Sequence, residues 1–228
     1  VRASRELIGS NLARIREEIR RACERSGRDP DEVLLVGASK TVDVERIRWA
    51  RDAGVSAFGE NYAKELRRKV PELSGVSWHF IGTLQTNTAH HVADLADVVE
   101  TLSGERPTER LARRADAAGR VLEALIEVDL AGRGTGVAPE DVPAFARAAT
   151  RLEGLRVIGL MTLPPFDPDR EAARPWFVRL RQMRERLLQD HPHVLELSMG
   201  MSLDYPVAVE EGATMVRIGT ALFGPRAA

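Results

Sequence analysis

Cysteine is all but missing from this chain of 228 residues: Cys23 stands alone, which excludes an internal disulfide framework and a cysteine metal cluster. It falls on a helical pattern with Ile15 and Ile19, where a small buried residue is expected. Aromatics are sparse at 5%, and the only tyrosines are Tyr62 and Tyr205. Neither sign of charge dominates. A formal net charge of -1 provides no global field for nucleic acid or an anionic membrane. The basic clusters Arg14-Ile15-Arg16 and Arg113-Arg114 lie on helical faces mixed with acids and read as solvated surface. No apolar run approaches a membrane span, and the first residues are charged and amphipathic rather than signal-like. A cytoplasmic protein is the expectation, and its mixed-charge surface suits a monomer. Lysine is the last scarcity: of 33 lysines and arginines, only Lys40, Lys64 and Lys69 are lysines.

What is present is alternation. Ile8, Leu12, Ile15, Ile19 and Ala22 make one apolar stripe, predicting an N-terminal helix stopped by Gly27. Strand patterns follow at 33–39, 55–59, 78–82, 98–102, 122–130, 156–161, 194–199 and 215–218. Helical patterns separate them at 44–53, 61–70, 84–94, 106–118, 140–151, 171–190 and 204–211. Eight β/α units with one extra N-terminal helix, and 43% hydrophobic residues to fill a core, predict an α/β single-domain (β/α)8 TIM barrel over 1–228. A doubly wound open sheet is the second reading. In either, right-handed crossovers make the strands parallel and bring their C-terminal ends to one face.

Lys40 ends the run Val33-Leu34-Leu35-Val36-Gly37-Ala38-Ser39-Lys40, which has the character of a buried strand. This chain uses arginine where it needs only positive charge, so a lysine at a strand end directs attention to its amine. Arginine keeps its proton near neutral pH. A desolvated lysine releases its own more readily and then attacks carbonyls. A lysine snorkelling to solvent is the other reading, and position alone leaves both open.

In a barrel the strand ends share one mouth, where chemistry concentrates. Strand one delivers Ser39 and Lys40 there, strand two Glu60 and Asn61, strand three His79 and the 82–85 turn, and strand six Met161 and Thr162. Strand seven runs into Ser198-Met199-Gly200-Met201-Ser202 and strand eight into Arg217-Ile218-Gly219-Thr220. Loops seven and eight are where barrels often hold phosphate. Gly200 and Gly219 allow close backbone approach, and Ser202 and Thr220 offer hydroxyls at predicted helix starts. Taken singly, those hydroxyls read as ordinary N-caps. No Walker-type motif occurs, so a nucleoside triphosphate is not implied.

An amine and a phosphate cup at one mouth fit two chemistries: a Schiff-base aldolase acting on a sugar phosphate, or pyridoxal 5′-phosphate held as an imine on Lys40. Arg217 bears on the choice. It stands two residues before Gly219, on the same strand face, and its guanidinium only donates. Facing a pyridine nitrogen, it would keep that nitrogen unprotonated and weaken the cofactor as an electron sink. An ion pair inside the barrel is the alternative role for Arg217.

Several segments together carry a resemblance. They are Val36-Gly37-Ala38-Ser39-Lys40-Thr41, Phe58-Gly59-Glu60-Asn61-Tyr62, Trp78-His79-Phe80-Ile81-Gly82, Gly159-Leu160-Met161-Thr162 and Leu197-Ser198-Met199-Gly200-Met201-Ser202. The stretch from Glu211 to Gly224 belongs with them. In this order, over about residues 6–226, they resemble the pyridoxal phosphate homeostasis (YggS/PROSC-type) family, whose barrel is shared with the N-terminal half of alanine racemases. The resemblance implies a cofactor imine at Lys40, phosphate contacts from Ser202, Gly219 and Thr220, and Arg217 at the pyridine nitrogen. Asn61, His79 and Met161 match positions lining the family's pocket. Taken alone, His79 reads as a hydrogen-bonded barrel histidine and Met161 as core. Thr83 and Thr88 stand where the family often has His and Lys, and Thr135 falls in a loop that often carries Lys-Ser-Gly. These departures remove charge near the mouth and leave the cofactor positions intact.

Two functions follow: a binder that buffers pyridoxal phosphate and delivers it to apoenzymes, or a racemase-like enzyme using the same cofactor. Racemisation needs acid and base on opposite faces of the substrate. In alanine racemases the second base is a tyrosine supplied across a dimer that also uses a C-terminal β domain. Here the chain ends at Ala228, shortly after the last strand, and only Tyr62 and Tyr205 occur, both in βα loops. The non-catalytic binder is therefore the expectation.

Overall fold

The apolar stripe of the N-terminal segment forms α1 (Arg5–Ser26), which buries Ile8, Leu12, Ile15, Ile19, Ala22 and Cys23. Ser4 caps its start by accepting from the Leu7 amide, and Gly27 ends it at φ 68°, a left-handed turn that glycine enters without penalty. In the computed structural model, which describes residues 4–225, the chain then alternates as predicted. The strands are β1 (Leu34–Ala38), β2 (Ala57–Glu60), β3 (Ser77–Phe80), β4 (Val98–Leu102), β5 (Leu122–Glu127), β6 (Leu155–Met161), β7 (Glu196–Ser198) and β8 (Met215–Ile218). The helices after α1 are α2 (Val44–Asp52), α3 (Ala63–Lys69), α4 (Ala89–Leu95), α5 (Glu105–Ala117), α6 (Val142–Ala149), α7 (Arg174–Leu187), α8 (Tyr205–Glu210) and α9 (Thr220–Phe223).

The sheet is a closed barrel, each strand parallel to its neighbours in chain order, with β8 pairing back onto β1 through Val36↔Arg217 and Gly37↔Ile218. Closure settles the choice between barrel and open sheet. Most boundaries shift by one to three residues from the sequence pattern, and two of the shifts have a plain local cause. The fifth strand ends at Glu127 because the Asp129 carboxylate accepts the Arg133 and Gly134 amides and winds the glycine-containing segment into a tight loop. The fourth helix starts at Ala89 rather than near residue 84, since the Thr88 and Ala89 amides both bond to the Gln85 carbonyl and hold the preceding residues as a turn.

The core has two shells. The larger lies between barrel wall and helices and includes Phe58, Trp78, Phe80, Phe177 and the buried face of α1. Each fully buried side chain of that size contributes about 1.5–3 kcal/mol. The smaller fills the barrel interior with Val98, Leu125, Met161 and Met215. Also buried is a polar group, His79, Glu100, Ser198 and Arg217.

Candidate functional site

Arg217 organises the upper barrel. It is buried, its side chain facing inward from β8 two residues after the inner-core Met215. One terminal nitrogen donates to Thr162 O at 2.9 Å, and the other donates to Ser198 Oγ and lies 3.6 Å from Glu100 Oε2. Ser198 Oγ in turn donates to that Glu100 oxygen at 2.5 Å, and His79 Nδ1 lies 2.7 Å from the other one. Burial pushes the Glu100 carboxyl up, but His79, Arg217 and Ser198 together outweigh it and hold the group below the ordinary carboxylate range. A guanidinium buried this completely is tolerable because its charge and donors meet partners. Arg217 thus makes an ion pair inside the barrel, and His79 is hydrogen-bonded there, 1% exposed.

Arg217 also borders a cavity of about 250 Å3, lined further by Ala38, Ser202, Asp204, Gly219 and Thr220. The sequence brings Ser202 and Thr220 together as expected, but not as the caps of their own helices. Ser202 Oγ accepts the Ala221 amide at 3.1 Å and so caps the short α9. Asp204 turns its carboxylate back onto the Met201 amide at 2.6 Å. Two hydroxyls, a guanidinium and glycine backbone at one concave surface suit a phosphate and a polar ring.

Lys40 does not line that cavity. Its Nζ sits 5.0 Å from the centroid of the Tyr62 ring, a cation–π arrangement. Tyr62 precedes α3 and is 51% exposed. Asn61 and Tyr62 border a second cavity of about 480 Å3 with Gln85 and Thr88. Met161 is fully buried in the inner apolar cluster beneath the polar group.

Two expectations for the mouth are corrected. Ser39 and Glu60 do not point into it. Strand side chains alternate, and these two fall on the outer face of β1 and β2 under α3, where Ser39 Oγ donates to Glu60 Oε1 at 2.6 Å. Lys69 lies beside them, fully buried. Tyr205 faces α1, where burial and the nearby Glu18 carboxylate push its phenol up; it does not reach the mouth. Sequence reasoning missed Glu100 altogether. The available signal was an acid inside the apolar stretch Val98-Val99-Glu100-Thr101-Leu102, where an unpaired carboxylate is untenable. Glu127, at the end of β5, was missed as well; burial raises its carboxyl, with Arg217 pulling it back down.

A barrel whose mouth joins a lysine to a polar cup beside loops seven and eight defines a class, and comparison with known proteins agrees. Residues 10–227 match the family model described as alanine racemase, N-terminal domain. Alanine racemase from Clostridium difficile shares 14% identity with a TM-score of 0.76 over 97% of this chain and 57% of that one, a likeness of fold. The pyridoxal phosphate homeostasis protein of Aquifex aeolicus is 41% identical over 94% of this chain and 96% of its own length. The protein of that name from Pseudomonas aeruginosa is 40% identical, over 96% of both chains. PipY of Synechococcus elongatus, solved with PLP bound, is 33% identical with a TM-score of 0.84, covering 95% of this chain and 100% of that one. The chain belongs to the pyridoxal phosphate homeostasis protein family.

Proposed function

We propose that this protein binds pyridoxal 5′-phosphate as an imine on Lys40 and serves in intracellular homeostasis of that cofactor, buffering and delivering it without robust catalysis. The observation that carries the reading is the anchoring of Arg217. Held by Glu100, Ser198 and Thr162, its guanidinium borders the same cavity as Ser202, Gly219 and Thr220. Those three residues would hold the phosphate, Arg217 would donate to the pyridine nitrogen, and Asn61 would border the ring from β2. His79 and Met161 support from behind, His79 by orienting Glu100 and Met161 by packing beneath. When bound, the cofactor supplies an aldehyde for reversible imine formation and an electron sink. An always-charged donor at the ring nitrogen weakens the sink while keeping the binding, which suits a carrier.

A racemase-like enzyme is the other reading. It would rest on Tyr62, whose ring lies beside the Lys40 amine. No second phenol stands opposite, because Tyr205 is turned to α1. That arrangement favours the carrier. No helix among the described residues is long and apolar enough to cross a membrane, and we place the protein in the cytoplasm as a monomeric single domain that passes cofactor to apoenzymes.

Borohydride reduction of the yellow protein followed by peptide mapping should place the adduct on Lys40, and Lys40→Ala should lose it. Adduct on Lys64 or Lys69 at wild-type yield would sink the assignment. For the choice of class, the loaded protein is mixed with L- and D-amino acids. Sustained exchange at Cα or loss of chirality would establish the enzyme instead.

A further inference from the structure

Lys69 occupies a site that the reading above does not use. Its side chain is fully buried, and Nζ donates to Ser39 O at 2.8 Å, Glu60 Oε1 at 2.6 Å and Glu65 Oε2 at 2.7 Å. Three donors on a tetrahedral nitrogen meet three acceptors. A planar guanidinium would not fit that geometry, which explains a lysine in a chain that otherwise prefers arginine. The same Glu65 oxygen accepts the Thr41 amide at 3.0 Å. Ser39 O belongs to the peptide unit before Lys40 and the Thr41 N–H to the unit after it. Both peptide planes flanking the Lys40 Cα are therefore tied to one ammonium group, the first directly and the second through Glu65. Thr41 adopts φ 64°, the one non-glycine residue with positive φ among those described, a conformation a β-branched residue holds only when its surroundings impose it.

We propose that Lys69 is a positioning residue for Lys40: with Glu60 and Glu65 it clamps both peptide units around the Lys40 Cα and so aims its amine into the barrel mouth. The inference rests on Lys40 being the imine lysine. Lys69 itself, the last residue of α3, lies outside the barrel wall and would touch no ligand. Its effect reaches the mouth only through the backbone. Loosening the clamp should weaken attack on the aldehyde and leave the phosphate and ring contacts from β7 and β8 unchanged.

That separation supplies the test. Dissociation constants are measured for pyridoxal 5′-phosphate and for 4-deoxypyridoxine 5′-phosphate, which keeps ring and phosphate but lacks the aldehyde. The proteins are the unsubstituted chain, Glu65→Leu, which removes the acceptor, and Lys69→Met combined with Glu60→Gln so that no fully buried carboxylate is stranded. Each variant should lose about tenfold or more for the aldehyde ligand and trap it more slowly with borohydride. The analogue should bind as it does to the unsubstituted chain. Equal losses for both ligands, or none for either, would overturn the proposal. If the double variant does not fold, Glu65→Leu decides alone, since Glu65 is partly exposed and its exchange removes the acceptor of the Thr41 amide while Lys69 keeps Ser39 O and Glu60. An unsubstituted chain that binds both ligands equally would overturn the Lys40 reading beneath it.

Discussion

Lys40 and Lys69 belong to one construction, yet their environments assign them opposite work. Lys69 is closed in by three acceptors and is unavailable as a nucleophile. The Lys40 amine lies over an aromatic face, with no ion pair among the described residues, and stays available. Around Lys69 the carboxyls divide. Burial raises Glu60, whose Oε2 has no hydrogen-bond partner, whereas Glu65, also desolvated, is held low by Lys69 and the Thr41 amide. Glu127 gives the clearest pH test at this scale. Its folded carboxyl is raised, by burial first, so above the ordinary carboxylate range the folded state keeps a proton that the unfolded chain has released. Stability then falls as pH rises through that window. Glu127→Gln removes the effect, so its melting temperature relative to the unsubstituted protein should climb with pH from the ordinary carboxylate range upward. Thermal melts across a pH series check this, and a constant difference would contradict it.

Between elements, close approach decides what the chain tolerates. A Cβ on Gly82 would lie 1.9 Å from Asn61 O, so the end of β2 and the turn after β3 meet through bare backbone. Thr101 Oγ1 holds the same turn by donating to Gly82 O at 2.6 Å. Gly82→Ala should cost at least about 2 kcal/mol by forcing these ends apart. In α1 a Cβ on Gly9 meets nothing within 4 Å, and Gly9→Ala should add about 0.5–1 kcal/mol by raising helix propensity. Chemical denaturation of both variants reads the two opposite signs. Much of this level was legible beforehand. The stripe of α1 and the strands at 98–102 and 215–218 follow from periodicity, because local pattern chooses helix or strand. What periodicity left ambiguous was the start of α4, where Leu84 keeps the apolar rhythm and is buried in irregular chain ahead of the helix.

At the scale of the molecule, closure makes the first and last strands neighbours. β8 pairs with both β1 and β7, so it completes the ring that carries every mouth residue. A chain ended after Ala213 should therefore lose cooperative unfolding altogether, with circular dichroism and calorimetry showing no sharp transition. A retained transition would mean that the barrel persists open. The amino-acid sequence alone determined the alternation of apolar strands with amphipathic helices, and from it eight β/α units, the lysine at the end of β1, and Arg217 with the Ser202 and Thr220 loops; that the sheet closes rather than stays open was decided by the tertiary structure. Those features depend on neighbours within a few residues, which the sequence displays directly. Tertiary structure alone decided that Glu60 and Ser39 turn outward to Lys69, that Tyr205 faces α1, and that Glu100 holds Ser198, 98 residues away, beneath Arg217. Such pairings exist only once the barrel closes, because closure fixes which face of each strand is inside and removes the water that would otherwise satisfy those charges.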